Sequence, residues 1–329
     1  MPEISVVMPV YNGEKFLPEA IESILNQSFR DFEFIVVCEY GSSQESVDIV
    51  ERYAAEDSRI VSVYNNEKLG ISASLNVGME KASGKYIARM DADDISGLRR
   101  FEVQKLFLDT YPEIGVLGTS HTVIDSPNWL VDCVTDSDLI NSELLFFVPL
   151  RHPTIMFSRK CIEDCKYDES LMGAEDYDFF YRLNKKTKMS NILDQSLFYY
   201  RRTGDNASEV YSVRDAFIRK KLQNRIYSEQ LHLDFDEEQM KVLNLLAHDA
   251  YDSLPSKEYV SVFLELETLL QQIEAQNNEL GVYKPDCLAQ TLSHRWYREK
   301  YKLDLLLKKK IPNDILSVWR GSKYYSQWF

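Results

Sequence analysis

Residues Lys85–Asp94 read Lys-Tyr-Ile-Ala-Arg-Met-Asp-Ala-Asp-Asp, so a short apolar run ends in three carboxylates within four residues. Carboxylates crowded at the end of a strand repel one another unless a cation lies among them. Hard divalent cations such as Mg²⁺ and Mn²⁺ prefer carboxylate oxygens, and they share their other positions with water and phosphate. For an isolated Asp-x-Asp the competing interpretation is a solvated acidic loop, so the surrounding sequence must decide.

Strands and helices alternate before this acidic run. Ile4–Val10, Phe32–Val37 and Ile60–Tyr64 have the composition of buried strands, and the helical pattern of Ile71–Ala82 follows the third. This alternation is typical of a doubly wound, mostly parallel sheet with helices on both faces. Ligands bind such sheets at the carboxyl ends of the strands, so we expect the four following loops to open on one edge.

The pattern becomes less regular after Gly97. A strand is predicted near Gly115–Thr122, and Glu175-Asp176 lead into a helix beginning near Tyr177. From Val210 onward helical periodicity dominates. We therefore predict two domains, an α/β catalytic domain over residues 1–208 and a helical C-terminal region with a basic, aromatic tail over residues 209–329. In the second of these, Phe263, Leu266, Leu270 and Ile273 recur at the spacing of a core stripe.

Composition excludes some function classes. The 329-residue chain carries a net charge of -14, which argues against nucleic-acid binding because phosphate contacts require a basic face. No apolar stretch is long enough to cross a bilayer, and the amino terminus shows no secretory signal. The five cysteines include no Cys-x-x-Cys pair. A reduced, cytoplasmic protein is the simplest expectation.

The last part of the chain, Arg295–Phe329, has the opposite charge balance, with nine Lys or Arg against three Asp or Glu. Two interpretations stay open. In the first, the tail would contact the inner face of the plasma membrane, with Trp296, Trp319, Trp328 and Phe329 at the interface beside Lys308–Lys310. Alternatively, it packs against protein, either the acidic body of the chain or a second copy in a homo-oligomer.

Phosphate-binding motifs are missing from the strand ends. No Gly-x-Gly-x-x-Gly or Gly-x-x-x-x-Gly-Lys-Ser/Thr run follows any of these strands, so a dinucleotide fold or a P-loop has no motif support. A phosphate-bearing substrate then requires another source of positive charge. A metal ion in the Asp91–Asp94 loop would supply it.

Four blocks, Val7–Gly13, Gly70–Gly78, Ala88–Asp94 and Ala174–Leu183, carry a family resemblance. Their order and spacing resemble those of the bacterial family 2 glycosyltransferases of cell-surface polysaccharide or protein-glycan biosynthesis. The resemblance implies the GT-A fold, a Rossmann-like, mixed, mostly parallel sheet flanked by helices, followed here by an α-helical C-terminal region. It covers roughly residues 3 to 205.

The resemblance also implies an activity, inverting transfer of a hexose or N-acetylhexosamine from a nucleotide-sugar donor, in most relatives a UDP-sugar. The acceptor would be a saccharide hydroxyl on a lipid-linked or protein-linked glycan. Asp93, with Asp91, would hold Mn²⁺ or Mg²⁺, whereas Asp94 is expected to cap a helix or support the loop. The residues implied on the donor side are Pro9, Val10, Tyr11, Glu39, Lys68, Asn76, Asp91, Ala92 and Arg202.

The resemblance assigns the catalytic base to Asp176, with Glu175 orienting it, because the acceptor hydroxyl must lose its proton during attack. Acidic residues in a first helical turn also face the positive helix end, which is a structural explanation for the same pair. His152 and Trp129 are expected on the acceptor side. A lone His is more often a satisfied structural residue, and aromatic rings also pack ordinary cores.

The chain departs from the family after the second strand, where it reads Cys38-Glu39-Tyr40-Gly41-Ser42 instead of Asp-Asp-Gly-Ser. Glu39 would replace the Asp that contacts the base. Two other functions stay open at this stage. One is a non-catalytic glycan-binding or scaffolding relative. The other is a sugar nucleotidyltransferase, which generally needs a Gly-rich, basic loop where this chain has Tyr11–Glu14.

Overall fold

The computed structural model describes residues 1–125, 129–202, 213–244, 256–306 and 324, and only the backbone of 129–130, 213–216, 256–260 and 299–306. The chain divides into two compact units. The first comprises residues 1–137 and 148–215, and the second comprises residues 138–147 and 216–329. The predicted division between residues 208 and 209 stays a prediction.

The described strands all belong to the first unit, whereas the helices are shared between the two units. The strands are β1 (Ile4–Val10), β2 (Phe32–Cys38), β3 (Ile60–Tyr64), β4 (Tyr86–Arg89), β5 (Ile95–Ser96), β6 (Ile114–Thr119), β7 (His121–Ile124), β8 (Trp129–Val131), β9 (Met156–Ser158), β10 (Lys188–Ile192) and β11 (Phe198–Arg201). The helices are α1 (Leu17–Leu25), α2 (Gln44–Glu56), α3 (Ile71–Lys81), α4 (Arg100–Thr110), α5 (Ser137–Glu143), α6 (Arg159–Ile162), α7 (Glu175–Asn184), α8 (Val213–Leu231), α9 (Glu237–Leu243), α10 (Ser256–Leu280) and α11 (Pro285–Leu306).

The main sheet has the strand order β10-β6-β9-β4-β1-β2-β3. Strands β4, β1, β2 and β3 run parallel to one another, and β10 runs parallel to β6. Only β9 is antiparallel to its neighbours among the strands of this sheet. The prediction of a mixed, mostly parallel sheet is confirmed, and the loops after the first four strands open on one edge.

Sequence explains why β1 and β2 are interior strands of this sheet, with a neighbour on each side. Both strands are near-continuous apolar runs, as expected for parallel strands that helices cover on both faces. On one face α3 approaches closely at Gly78, where an added Cβ would collide with the side chain of Val7. Glycine therefore lets α3, which follows the loop after β3, lie directly on the sheet.

A second sheet, with the order β5-β11-β7-β8, corrects one prediction. The single strand predicted near Gly115–Thr122 is two strands, because β6 ends at Thr119 in the main sheet and β7 begins at His121 in the second. Between them, the N–H of Ser120 donates to the carbonyl of Ile192 at 2.9 Å. Neither Gly nor Pro stands between Thr119 and His121, so the sequence does not mark this change of sheet.

The second unit is helical, as predicted. Phe263, Leu266, Leu270 and Ile273 are buried, which confirms the core stripe. Trp296 is fully buried, with its ring centroid 5.4 Å from that of Phe263, so the expectation of Trp296 at a membrane surface is wrong. The other tail residues of that hypothesis, Trp319, Trp328, Phe329 and Lys308–Lys310, lie outside the described residues. Across the described helices, none has both the length and the apolarity needed to cross a membrane.

Candidate active site

Loops from β1 to β4 are fixed to one another where they leave the sheet. The N–H of Glu39 donates to the carbonyl of Val10 at 2.9 Å, and the N–H of Asn65 donates to the carbonyl of Cys38 at 3.0 Å. The N–H of Met90, just before the acidic loop, donates to the carbonyl of Val7 at 3.0 Å. These bonds extend the sheet register into the loops and give the edge a defined shape.

The acidic loop brings three carboxylates together. Single carboxylate oxygens of Asp91, Asp93 and Asp94 all lie within 4.8 Å of one another. Beneath them, the nearly buried guanidinium of Arg89 forms an ion pair of 2.5 Å with Asp91. Strand β4 thus ends in the cation Arg89, and the three carboxylates follow it in the next five residues.

Burial and mutual repulsion raise the pKa values of two carboxyls in this cluster. Burial raises the pKa of Asp93 to about 6, with a further contribution from the charge of Asp91. Burial likewise raises the pKa of Asp94, and the charges of Asp91 and Asp93 add to it. A hard divalent cation binds carboxylate oxygens and would offset this repulsion, so the clustered residues fit such an ion. Asp93 and Asp91 are the ones that would hold it.

Asp94 has a supporting role in this loop. Its side chain is buried, and its Oδ1 accepts a hydrogen bond of 2.8 Å from the backbone N–H of Arg201. The part of its prediction that concerns helix capping is wrong, because β5 follows Asp94 and the next helix begins only at Arg100. Asp94 instead ties the acidic loop to β11.

Arg201 supports the acidic loop, a role that was not predicted from the sequence. Its Nε donates to the backbone carbonyl of Asp93 at 2.7 Å, and its guanidinium pairs with Asp125 and, at 2.5 Å, with Glu19. Neighbouring residues on a strand point to opposite sides, so only one arginine of the pair Arg201-Arg202 turns inward. That alternation is a signal in the sequence, but it does not say which arginine is buried. Arg202 is exposed, and its donor contact stays a prediction.

On the donor side the structure brings Tyr11 and Lys68 together. The Tyr11 side chain is 51% exposed, and the ammonium of Lys68 lies 5.4 Å from the centroid of its ring. A cation over an aromatic face is held by the ring quadrupole. We call the predicted donor residues Pro9, Val10, Tyr11, Lys68 and Ala92 the donor wall. Val10 is buried, whereas Pro9 and Ala92 are half-buried, so Tyr11 and Lys68 offer its accessible surface.

Two of the predicted donor residues bind the protein itself. Glu39 is buried, and its carboxylate accepts hydrogen bonds from the loop that precedes α3. The side chain of Asn76, on α3, bonds to the backbone of Tyr167 through both its oxygen and its nitrogen. Their contacts with a donor stay predictions, and the structure adds a second role to each.

Asp176 and Glu175 begin α7, as predicted. Both side chains are half-buried, and each accepts a nearby backbone hydrogen bond, Glu175 from Gly173 at 2.6 Å and Asp176 from Tyr177 at 2.7 Å. Two residues after Asp176, the buried Asp178 forms an ion pair of 2.7 Å with Arg182. The first turn of α7 therefore holds two accessible carboxylates and one structural carboxylate.

His152 is buried beside the same segment. Its Nε2 lies 2.8 Å from the Tyr167 hydroxyl, and burial, helped by the charge of Arg89, holds the pKa of His152 well below its usual range. A neutral, hydrogen-bonded ring agrees with the structural interpretation, and the acceptor-side role stays a prediction. Trp129 lies on β8, but its side chain is outside the described residues.

Comparison with known proteins identifies the family. The family model of glycosyl transferase family 2 matches residues 5–160. An uncharacterised glycosyltransferase from Methanocaldococcus jannaschii is 35% identical over 205 residues, which are 61% of this chain and 71% of that protein. The chain belongs to glycosyl transferase family 2. A second relative, the O-antigen biosynthesis glycosyltransferase WbnJ of Escherichia coli, is 31% identical over 55% of this chain and 71% of its own length.

Solved structures support the family 2 fold. Staphylococcus aureus TarS 1-349 in complex with UDP-GlcNAc has a TM-score of 0.59 at 20% identity, and the match covers 92% of this chain and 88% of that one. Mannosyltransferase PcManGT of Pyrobaculum calidifontis, in complex with GDP-Man and Mn²⁺, has a TM-score of 0.51 at 16% identity, over 94% and 88% of the two chains. The predicted family, GT-A fold and transferase class are confirmed.

Proposed function

We propose that this family 2 chain is an inverting, metal-dependent transferase that moves a hexose or N-acetylhexosamine from a UDP-sugar to a saccharide hydroxyl. The acceptor would be a lipid-linked or protein-linked glycan. The observation that carries the proposal is the carboxylate cluster of Asp91, Asp93 and Asp94 at the carboxyl edge of the parallel strands. UDP-GlcNAc in the TarS complex and the O-antigen role in the name of WbnJ support the donor and acceptor classes.

In the proposed reaction the acceptor oxygen attacks the anomeric carbon from the face opposite the UDP group. A new C–O bond forms as the bond to UDP breaks, and the electron pair of that bond leaves with the diphosphate. Asp176 takes the acceptor proton, and Glu175 orients Asp176. Attack from the opposite face inverts the anomeric centre.

The departing diphosphate gains negative charge, so the site must stabilise it. Mn²⁺ or Mg²⁺ held by Asp93 and Asp91 would supply Lewis-acid stabilisation of that charge. The side chains of Lys68 and Arg202 would also stabilise the charge of the departing diphosphate. The predicted donor residues Pro9, Val10, Tyr11 and Ala92 would lie on the nucleoside side, where exposed Tyr11 offers an aromatic face next to the buried Val10.

The test is release of UDP from a panel of UDP-sugars in the presence of Mn²⁺ or Mg²⁺ and an acceptor extract. We expect turnover in the wild type and in the exposed control Asp31→Asn, and loss of turnover in Asp93→Ala and in Asp176→Asn. Undiminished turnover in both of these would sink the mechanism. Pyrophosphate formed from a nucleoside triphosphate would favour the nucleotidyltransferase, and donor binding without any transfer would favour the non-catalytic relative.

The proposed location is the cytoplasm, with peripheral contact at the inner face of the plasma membrane or with a second copy of the chain through the C-terminal region. The basic composition of residues 295–329 supports the membrane contact. Flotation with anionic liposomes tests it, because a full-length chain that does not float removes the membrane alternative. Sedimentation of the same preparation tests the homo-oligomer.

A further inference from the structure

The carboxylate of Glu39 is already filled by hydrogen bonds from the protein. Its Oε1 accepts from the N–H groups of Tyr40 at 2.8 Å and Leu69 at 3.0 Å. Its Oε2 accepts from the N–H of Gly70 at 2.5 Å and from the Ser74 hydroxyl at 3.2 Å. A carboxylate offers about four acceptor positions, so these four donors use them all.

These bonds replace a cap that α3 lacks. Gly70, the residue before the first turn of α3, has no side chain to cap the helix, and the first turn contains no acidic residue. Glu39, which comes from the end of β2, places its negative charge at this positive helix end. The left-handed φ of +84° at Gly70 suits glycine, and it accompanies the short bond from its N–H to Glu39.

The hydrogen bonds also outweigh the effect of burial on the charge state of Glu39. Burial alone would raise the pKa of this carboxyl, but the bonds from Leu69, Tyr40, Gly70 and Ser74 together hold it below its usual value. Glu39 is only 7% exposed. The side chain is therefore a buried anion whose partners are all within the protein.

Lys68, the cation of the donor wall, directly precedes Leu69, whose N–H is bonded to Glu39. Leu69 and Gly70 are held by Glu39, and the Lys68 ammonium lies 5.4 Å from the Tyr11 ring centroid. Glu39 thereby joins three of the four strand-end loops, because it follows β2, holds the loop after β3, and fixes a side chain above the loop after β1. Ordering that loop before a ligand arrives reduces the entropy that binding costs.

We infer that Glu39 is a positioning residue of the donor site, which holds the Lys68–Gly70 loop against Tyr11, and that it does not select the nucleobase. The inference rests on the proposed nucleotide-sugar function for the role of the wall. The contacts within the protein stand independently of that function. Lys68, Tyr11 and the loop backbone are then the groups that meet the nucleotide.

The experiment uses the full chain with Glu39→Gln, which keeps the size and removes the charge, and Lys68→Gln as the matched comparison. Amide hydrogen exchange of Leu69 and Gly70 is measured without ligand, and dissociation constants are measured for UDP, GDP and CDP with Mn²⁺. We expect exchange at both amides to become about tenfold faster or more in Glu39→Gln and to stay unchanged in Lys68→Gln.

Both substitutions should weaken UDP binding by about fivefold to tenfold, since one loosens Lys68 and the other removes its charge. In Glu39→Gln the UDP-to-GDP and UDP-to-CDP preferences should stay within about twofold of wild type. Exchange that does not change, or a base preference that shifts about tenfold or more, would overturn the inference. If Glu39→Gln does not fold, Ser74→Ala removes one of the four donors and the same exchange readout applies, with a smaller expected increase.

The two proposals fail in distinguishable ways. A wild-type chain that binds none of the three nucleotides would overturn the proposed function and, with it, the donor role of the loop. The exchange measurement would still decide whether Glu39 holds Leu69 and Gly70. Wild-type binding together with unchanged exchange in Glu39→Gln would overturn only the positioning inference.

Discussion

The side-chain amide of Asn76 holds the backbone of Tyr167, accepting its N–H at 2.8 Å and donating to its carbonyl at 3.0 Å. Tyr167 in turn bonds to His152 and stacks on Phe179 with a centroid distance of 4.0 Å. Asn76 lies on α3, which begins at the donor wall, and Tyr167 precedes the carboxylates of α7. This pair therefore connects the proposed donor and acceptor sides.

Asn76→Ala should loosen the acceptor side. The substitution leaves a buried N–H and a carbonyl of Tyr167 unpaired, so we expect the free energy of unfolding to fall by about 2 to 4 kcal/mol. Because Tyr167 positions the region that leads to Asp176, kcat should fall more than the donor KM rises. Denaturant unfolding and UDP release measure the two effects, with the exposed Asn66→Ala as control. A rise in donor KM at constant kcat would instead show direct donor contact.

Asp176 and Asp178, two residues apart in one helical turn, should separate catalysis from stability. Asp176→Asn removes the proposed base, so we expect kcat to fall by about 10² to 10⁴ with little change in unfolding. Asp178→Asn weakens a nearly buried ion pair with Arg182, so we expect the reverse, a loss of about 1 to 3 kcal/mol with most activity retained below the unfolding transition. Thermal unfolding and UDP release on both variants check this, and similar profiles for the two would contradict it.

Metal binding should be visible without any turnover. Mn²⁺ that binds only the folded chain raises the free energy of unfolding by about 2.7 kcal/mol when its concentration is one hundred times its dissociation constant. The thermal midpoint rises accordingly. We expect this increase in the wild type and its loss in Asp93→Asn. In the presence of EDTA, Asp93→Asn should have the higher thermal midpoint of the two chains. The substitution removes one of the clustered charges that repel Asp91 and Asp94. Equal Mn²⁺ stabilisation of both chains would exclude Asp93 as a ligand.

Substitution of the buried Arg201 should lower stability, whereas substitution of the exposed Arg202 should not. Arg201→Gln removes the bond to the Asp93 carbonyl and the ion pairs to Glu19 and Asp125, two carboxylates with exposed side chains that add little. We expect a loss of about 2 kcal/mol in the free energy of unfolding. Arg202→Gln should leave unfolding within about 0.5 kcal/mol of wild type. If Arg202 contacts the donor as proposed, its substitution should instead raise the donor KM, which UDP release measures.

Much of the first unit is predictable because β1 and β2 are near-continuous apolar runs and clear turns separate the helices. Ile4–Val10 and Ile60–Tyr64 are predicted with the bounds that the structure shows, and the position of the acidic loop follows from their parallel order. The change of sheet at Ser120 is not predictable, since neither Gly nor Pro separates Thr119 from His121. Tertiary pairing with Ile192, far along the chain, decides it.

The candidate site divides along the same line. Asp91 and Asp93 are found from sequence because a local cluster of charge at a strand end is visible in a short window. The partners of Glu39, Asn76 and Arg201 are distant in sequence, so no local pattern shows that these side chains bind the protein's own backbone. Pattern reading identifies which residues have suitable chemistry, and the tertiary contacts decide which atoms remain available.

The second unit contains a carboxyl group that should make stability depend on pH. Glu143 is buried, and burial raises its pKa from 4.5 to about 7, although Arg298 lowers it in part. Between these pH values the folded chain keeps a proton that the unfolded chain has lost. The stabilisation is therefore complete below about pH 4.5 and is lost as the pH rises toward 7, by roughly 3 kcal/mol at most.

Glu143→Gln should flatten this dependence, because an amide does not titrate. The slope of unfolding free energy against pH is the readout, since the new amide also places a donor where the Glu143 Oε2 is buried without a hydrogen-bond partner. Urea unfolding of the second unit at several pH values from 4.5 to 8 measures it, with the exposed Glu279→Gln on α10 as control. The control should keep the wild-type slope. A Glu143→Gln chain that keeps it as well would show that the buried carboxyl is already ionised in the folded state, with Arg298 as its effective counter-charge.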